Sequence, residues 1–164
     1  EFARPISIAP KASSLDALLN DAVRLIEDRA AGKNISVKTH NTAQIDTAWV
    51  DADRINQILL NLFLNAIDAM ENGGELNVEI SSDDSGEICI AVSDTGSGIR
   101  PQHLSRVFDP YFTTKSTGTG LGLAIAHNIV DAMGGRIYVE SSKSQGTTFT
   151  VILANSKEGG SNEL

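Results

Sequence analysis

Apolar positions recur along the chain with two periods, and each period predicts a different element. Residues 15–30 carry apolar side chains every three or four positions, which predicts a helix. Ser13 or Ser14 supplies its N-cap, and Gly32 ends it. Residues 35–40 then alternate between apolar and polar, so they are expected to form a half-buried strand.

The next helical pattern follows a second short strand, expected at residues 47–50. This helix begins at Asp51 or Ala52 and runs to Met70. A turn is predicted at residues 72–74, with the sequence NGG.

Strict alternation returns in four later segments, which predict two hairpins. The strands are expected at residues 75–82, 87–94, 136–142 and 147–154, and the turns between them are DDSG and KSQG. Residues 95–120 separate the hairpins and form a loop longer than compact domains usually allow, so it is expected to be either functional or disordered. A third helix is predicted from Gly120 to Met133.

This order of elements predicts an α/β two-layer sandwich. A mixed, mostly antiparallel sheet is covered on one face by three helices. The domain is expected to span residues 15–154, after an arm of residues 1–14. Residues 155–164 have the composition of a disordered tail.

Composition excludes some classes of partner. The chain has 164 residues and a formal net charge of −8, which argues against nucleic acid and anionic membranes, since both select clustered Lys and Arg. A small anionic ligand needs only local positive groups. Cys89 lies in an apolar run and is expected to be a core thiol. No apolar run approaches the length of a membrane span, and no secretory signal is expected.

The second helix carries a polar stripe on an otherwise apolar surface. Gln57, Asn61, Asn65 and Asp68 follow one another at helical spacing, with apolar residues on either side. Amide and carboxylate oxygens suit Mg²⁺, which shares its ligands with phosphates. The stripe therefore lines a cleft with a metal, or it forms a ladder of hydrogen bonds to a neighbouring loop.

Asp94 ends an apolar strand and is followed by Gly96 and Gly98. Glycines this close allow a ligand to approach the backbone. An ionised carboxylate only accepts hydrogen bonds, so it would pair with the amino group of adenine and reject the oxygen of guanine. The alternative is a tight turn with no ligand.

A third glycine cluster opens the last helix. Gly118, Gly120 and Gly122 lead into this helix, at whose N-terminus free N–H groups and the helix dipole favour phosphate. Lys115 could reach the same phosphate, or it could be a solvated surface lysine.

Aromatic residues cluster in the long loop at Phe108, Tyr111 and Phe112. They are expected to anchor a lid on the core or to form a satellite cluster under the loop, and the two hypotheses are compatible. The histidines, at 40, 103 and 127, have no metal-ligand spacing, and no Ser/His/Asp or Cys/His arrangement is present.

In this order the motifs resemble the ATP-binding catalytic domain of bacterial sensor histidine kinases, a Bergerat-fold (GHKL) family shared with gyrase, heat-shock protein 90 and MutL-type proteins. NLFLNAIDA resembles the N box, DTGSGI the G1 box, VFDPYFTTK the F box and GTGLGLAIAHNIV the G2 box. SQGTTFTVIL resembles the final glycine motif, and the resemblance covers residues 15–153. The version found here is most similar to the NtrB and ZraS type kinases.

The resemblance implies roles for these positions. Asn65 would coordinate Mg²⁺ with support from Asn61, Asp94 would bind the adenine amine, and Lys115 would hold phosphate, which makes Asn61, Asn65 and Lys115 the catalytic set. The remaining positions implied to bind ATP are Asp68, Gly96, Gly98, Ile99, Phe108, Thr117, Gly118, Thr119, Gly120, Leu121, Gly122 and Thr147. The loop of residues 95–120 would be the ATP lid, mobile without nucleotide between residues 100 and 120.

The resemblance also implies the reaction and the partners. The domain would transfer the γ-phosphate of ATP to a histidine on a separate dimerisation hairpin, for relay to a response regulator. It would be the cytoplasmic portion of a membrane-bound sensor, with no direct membrane contact. The chain contains no phosphoacceptor histidine motif, and EFARP resembles the end of that hairpin.

Three alternative functions differ in chemistry. Hydrolytic relatives place a water-activating Glu where this chain has Asn61, which weighs against an ATPase because an amide cannot accept a proton. A non-enzymatic nucleotide-binding module would bind ATP without transfer. A protein serine kinase of the same fold is the third alternative, and the FARP arm favours the histidine type.

Overall fold

The computed structural model describes residues 5–113, 120–142 and 145–155. Its elements follow in chain order: β1 Lys11–Ser14, α1 Leu15–Arg24, α2 Glu27–Gly32, β2 Ile35–Asn41, β3 Thr47–Val50, α3 Ala52–Ala69, β4 Gly74–Ser82, β5 Ile88–Asp94, a 3₁₀ helix Pro101–Arg106, α4 Gly122–Ala132, β6 Arg136–Ser141 and β7 Thr147–Leu153.

Five of the strands form one sheet in the order β2-β4-β5-β7-β6. The β2–β4 pair is parallel, and the other three pairs are antiparallel. The predicted mixed, mostly antiparallel sheet is therefore confirmed. The parallel pair arises because α3 lies between β2 and β4 in the chain, whereas short turns join the strands of the two hairpins.

The core lies between the helices and one face of this sheet. Leu76, Val92 and Phe149 are buried on that face, in the same cluster as Leu59 and Leu62 of α3. The alternate residues of the strands are only half-buried, because they lie on the opposite face of the sheet. One covered face and one open face make the two-layer sandwich that the sequence predicts.

The expected helix of residues 15–30 is wrong as a single element, because the chain bends at Leu25 and Ile26. Their N–H groups donate to the carbonyls of Ala22 and Val23, three residues back, which tightens the last turn of α1. The bend leaves Leu25 57% exposed and Ile26 1% exposed. Four α-helices are thus present in the described residues where three were expected.

Within the segment predicted as an arm, residues 11–14 form β1 and pair antiparallel with β3. The residues before β1 are held as well, because the Ala9 N–H donates to Asp51 Oδ2 at 2.8 Å. At the other end, Asn155 is the first residue of the predicted tail, and its Oδ1 accepts from the Trp49 N–H at 2.9 Å. The rest of the expected tail lies outside the described residues.

The long loop between the hairpins contains the 3₁₀ helix, in which proline occupies the first position. The other predicted strands and helices agree with the structure to within two residues at each end. Among the helices described, none combines the length and the apolar character that crossing a membrane requires.

Candidate functional site

Three polar side chains form a row across neighbouring strands on the covered face of the sheet. Asp94 ends β5, Thr147 begins β7 and Ser141 ends β6, and the strand register places Thr147 opposite both of the others. Asp94 and Thr147 are buried although both are polar. The row lines one wall of a cavity of about 520 Å³ that is wide open to solvent, and its lining also includes Leu104.

Asp94 is held in position by the loop that follows it. The N–H of Gly96 donates to Asp94 Oδ1 at 2.8 Å. Gly96 lies against the end of α3, where an added Cβ would be 2.5 Å from the carbonyl oxygen of Ala69 and 2.9 Å from its Cβ. No side chain fits at that distance, so glycine is required there. Two residues later, Gly98 has a φ of 78°, a conformation that favours glycine.

Ser141 joins this loop to the β6–β7 hairpin. Its Oγ accepts from the Ile99 N–H at 2.7 Å and lies 2.9 Å from Gly146 O and 2.9 Å from Thr147 Oγ1. Gly146 has a φ of 90°, and a Cβ there would collide with the carbonyl oxygen of Asp94. The glycine-rich loop, the end of β5 and the last hairpin therefore meet at one hydroxyl group.

The polar stripe of α3 faces the beginning of α4. A Cβ added at Gly122 would lie 3.6 Å from Asn61 Oδ1, so the amide approaches the first turn of α4. Asn65 lies one turn further along α3 and is half-buried, whereas Asp68 is exposed. The next turn ends at Ala69, which touches the Asp94 loop, so α3 connects the stripe to the row of polar side chains.

The donor set of α3 fits a magnesium ion that arrives with a phosphate ligand. In the described part of the chain, no group of three or more His, Cys, Asp or Glu side chains could hold a metal. Magnesium does not need such a cage, because it keeps several waters and binds one or two protein oxygens together with substrate phosphates. Asn61 and Asn65 carry amide oxygens, which are of the type that such a site would use.

The loop aromatics divide between the core and the surface. The Phe108 ring lies 6.0 Å from the buried Phe149 ring and 5.1 Å from the His127 ring, measured between centroids. Phe112 packs instead under the guanidinium of Arg106, at 4.4 Å. Tyr111 is 69% exposed. Phe108 therefore anchors this segment to the core, and the hypothesis that Tyr111 does so is wrong.

The long loop of residues 95–120 is closed by a contact between Tyr111 and Gly120. The Tyr111 N–H donates to Gly120 O at 2.8 Å. Gly120 has a φ of 75°, and a Cβ added to it would collide with the Tyr111 backbone. Leu121 follows as the N-cap residue of α4, and Gly122 opens the helix. The other predicted phosphate-binding residues, Lys115, Thr117, Gly118 and Thr119, lie outside the described residues.

A protein-family model covers most of the sequence motifs described above. Residues 50–157 match the family described as histidine kinase-, DNA gyrase B-, and HSP90-like ATPase, so the chain belongs to this family. The matched range begins at the end of β3 and includes α3, the Asp94 loop, α4 and the last hairpin.

Individual relatives are sensor histidine kinases. The chain is 40% identical over 153 residues to the sensor histidine kinase ZraS of Escherichia coli K12, covering 93% of this chain and 33% of ZraS. The chain thus spans about a third of the length of this relative. Its fold matches full-length ShkA, solved in complex with AMPPNP, with a TM-score of 0.84 and 31% identity, over 93% of this chain and 32% of ShkA.

The catalytic domain of the histidine kinase ThkA is similar over nearly its full length. It has a TM-score of 0.79 and 30% identity, over 90% of this chain and 96% of that domain. ThkA has also been solved in complex with the response regulator protein TrrA, and there the match has a TM-score of 0.78 and 26% identity, over 92% of this chain and 43% of ThkA. The chain therefore corresponds to the ATP-binding catalytic domain of a sensor histidine kinase.

Sequence reasoning missed Ser141 and Ala69. The signal for Ser141 was present, since alternation along β6 places it on the same face as Ile137 and Val139. Its contact with Thr147 depends on the hairpin register, which alternation alone does not give. The contact of Ala69 with Gly96 depends on how the end of α3 meets the loop after β5, and no local pattern encodes it.

Proposed function

We propose that the chain binds Mg-ATP and transfers the γ-phosphate to a histidine on a separate helical hairpin domain, for relay to an aspartate of a response regulator. The observation that carries this proposal is the buried carboxylate of Asp94. The Gly96 N–H holds it at the end of β5, beside a cavity in a chain of the histidine kinase-like ATPase family.

Asp94 accounts for the choice of adenine. A carboxylate accepts hydrogen bonds and, when ionised, donates none. The exocyclic amine of adenine donates to it, whereas the carbonyl of guanine at the same position would meet it as a second acceptor. The bound AMPPNP in the similar ShkA is consistent with an adenine nucleotide as the ligand.

The phosphates and the metal would lie toward α3 and α4. Asn65 and Asn61 offer amide oxygens to Mg²⁺, which when bound neutralises charge on the phosphates. The same phosphates are proposed to contact the glycine-rich segment before and at the start of α4, at Lys115, Thr117, Gly118, Thr119, Gly120 and Gly122. The proposed nucleotide-binding set is completed by Asp68, Ile99, Phe108, Leu121 and Thr147.

Transfer to a protein is favoured over hydrolysis because the position from which hydrolytic members of the wider group activate water holds Asn61 in this chain. Activation of a water molecule requires a group that accepts its proton, and Asn61 carries an amide. A neutral imidazole nitrogen is itself a nucleophile, so it needs no base of this kind. The ThkA–TrrA complex supports a response regulator as the next partner in the relay. Because ATP and such a regulator must both reach the site, we place the domain in the cytoplasm.

The nucleotide site is tested by two substitutions with matched controls. Asp94→Asn removes the carboxylate, and Asn65→Asp changes the proposed metal ligand. We expect each to weaken Mg-ATP binding in a calorimetric titration at least tenfold while the melting temperature stays near wild type. Asp84→Asn and Asn20→Asp, at exposed positions away from the site, are expected to leave affinity unchanged. Wild-type affinity in both site variants would contradict the assignment.

The reaction is tested separately with γ-labelled ATP and a supplied hairpin domain from a related sensor kinase. Label on the hairpin histidine, with little free phosphate, is the expected result. Steady release of phosphate in place of label would support the ATPase alternative, and ATP binding with neither product would support a non-enzymatic module. Label on serine would support the protein serine kinase.

A further inference from the structure

We propose that Ser141 sets the nucleobase specificity of the site by fixing the direction of the Thr147 hydroxyl proton. The inference rests on the proposed function, which places the base beside Asp94 and Thr147. It concerns a residue that does not itself need to touch the nucleotide. Ser141 would act through Thr147 and is therefore a positioning residue.

The direction of the proton follows from a count of donors and acceptors around Ser141. The Ile99 N–H can only donate, so Ser141 Oγ accepts from it at 2.7 Å. Gly146 O can only accept, so Ser141 donates its single proton to that carbonyl at 2.9 Å. The remaining contact of 2.9 Å with Thr147 Oγ1 then has only one possible donor, which is the Thr147 hydroxyl.

Thr147 is thereby left with lone pairs on the side away from Ser141. It lies beside Asp94 in the row that lines the cavity, and the carboxylate there is also an acceptor. A nucleobase in this cavity would face two acceptors, the Asp94 carboxylate and the Thr147 oxygen, and neither hydroxyl group of the row would donate to it. That arrangement suits the amine of adenine, which carries two N–H donors, and opposes a base with a carbonyl at the same position.

Removing the Ser141 hydroxyl would release this constraint. The Thr147 proton would lose its acceptor and could turn toward the base. A carbonyl at the position of the adenine amine would then gain a hydrogen bond, while the adenine amine would lose an acceptor that is always available. The preference for ATP over a nucleotide with a 6-carbonyl should fall, although Asp94 is unchanged.

The test compares the dissociation constants of ATP and inosine triphosphate (ITP), whose base has a carbonyl in place of the amine and carries a proton on N1. Because both differences are the same for every variant, a change in the ratio between variants reports the change at Ser141 or Thr147. Each is measured by calorimetric titration with Mg²⁺. In Ser141→Ala we expect the ITP/ATP ratio of dissociation constants to fall about fivefold, the net effect of one neutral hydrogen bond. Ser141→Thr keeps a hydroxyl and should keep the wild-type ratio.

Two further variants separate positioning from general damage. Ser142→Ala removes a hydroxyl from the next residue, which donates to the exposed Gln145 side chain at 3.2 Å, and should leave the ratio unchanged. Thr147→Val removes the proposed acceptor and should lower the ratio even if Ser141→Ala does not fold. In a Thr147→Val background, Ser141→Ala should have no further effect on the ratio.

The outcomes distinguish the two proposals. If wild type binds ATP but Ser141→Ala weakens both nucleotides equally, or leaves the ratio unchanged, Ser141 has only a structural role and the inference is overturned. An unchanged ratio in Thr147→Val overturns it as well. If wild type binds no ATP, the proposed function fails, and the inference fails with it.

Discussion

The contact between Gly96 and the end of α3 provides a sharp test of how the Asp94 loop is held. In Gly96→Ala the new methyl group would lie 2.5 Å from Ala69 O, 2.8 Å from the Ala69 carbonyl carbon and 2.9 Å from the Ala69 Cβ. Two of these atoms are backbone atoms of a packed helix, so the loop has to move rather than the helix. The movement also disturbs the adjacent hydrogen bond from the Ser97 N–H to Ala69 O, which is 3.3 Å long.

The expected cost follows from overpacking of this kind, which destabilises a fold by about 1–3 kcal/mol. For a domain of this size each kcal/mol lowers the melting temperature by about 2–4 °C, so a fall of about 2–12 °C is expected by calorimetry. Mg-ATP affinity should fall as well, because the Gly96 N–H orients Asp94.

The matched control is Gly32→Ala, at the end of α2. An added Cβ there has nothing within 4 Å, and alanine is the better helix former. We expect a melting temperature equal to or above wild type and unchanged ATP affinity. If Gly96→Ala behaved like Gly32→Ala in both assays, the loop would not be docked on Ala69 and the account of Asp94 positioning would be refuted.

Two further predictions concern the frame around the site. Ser14→Ala should lower the free energy of unfolding by about 1 kcal/mol in chemical denaturation, because Ser14 Oγ caps α1 by accepting from the Ala17 N–H at 3.1 Å. Asp51→Ala should lower it by about 2–3 kcal/mol, because the carboxylate both caps α3 and accepts from the Ala9 N–H. Equal losses in the two variants would contradict this account of the N-terminal segment. Hydrogen bonds from the Ser85 hydroxyl and then the Glu87 N–H hold the pKa of Asp83 below its usual value of 3.8. Asp83 therefore contributes stability above its unfolded-state pKa and loses it as the pH falls through the lower folded-state pKa. In a carboxyl NMR titration Ser85→Ala should raise this pKa, and no change would contradict the hairpin geometry.

The parts of the fold that the sequence predicted best are those with a long, regular period. The eighteen residues of α3 repeat at helical spacing, and Asp51 provides the N-cap, so both its extent and its polar stripe could be inferred. The strands β5 and β7 alternate without interruption, and every second residue is buried. In these segments the local preference for helix or strand agrees with the tertiary packing, so the hydrophobic pattern alone predicts the element correctly.

The parts that were missed depend on contacts distant in the chain. The strand β1 consists of KASS, which has no apolar alternation, and it exists because it pairs with β3 more than thirty residues later. The break between α1 and α2 was not predicted, because Leu25 fits the helical spacing of apolar residues although its side chain is exposed. The role of Ser141 depends on register, and a slip of one residue would turn it to the other face of the sheet.

The most direct test of the central claim is a calorimetric titration of the wild-type chain with ATP, in the presence and absence of Mg²⁺. The account predicts saturable binding of one ATP per chain that is strengthened by Mg²⁺, because the adenine would be held by Asp94 and the metal by Asn65. No saturable binding at millimolar ATP, in a chain shown to be folded by its melting transition, would contradict it.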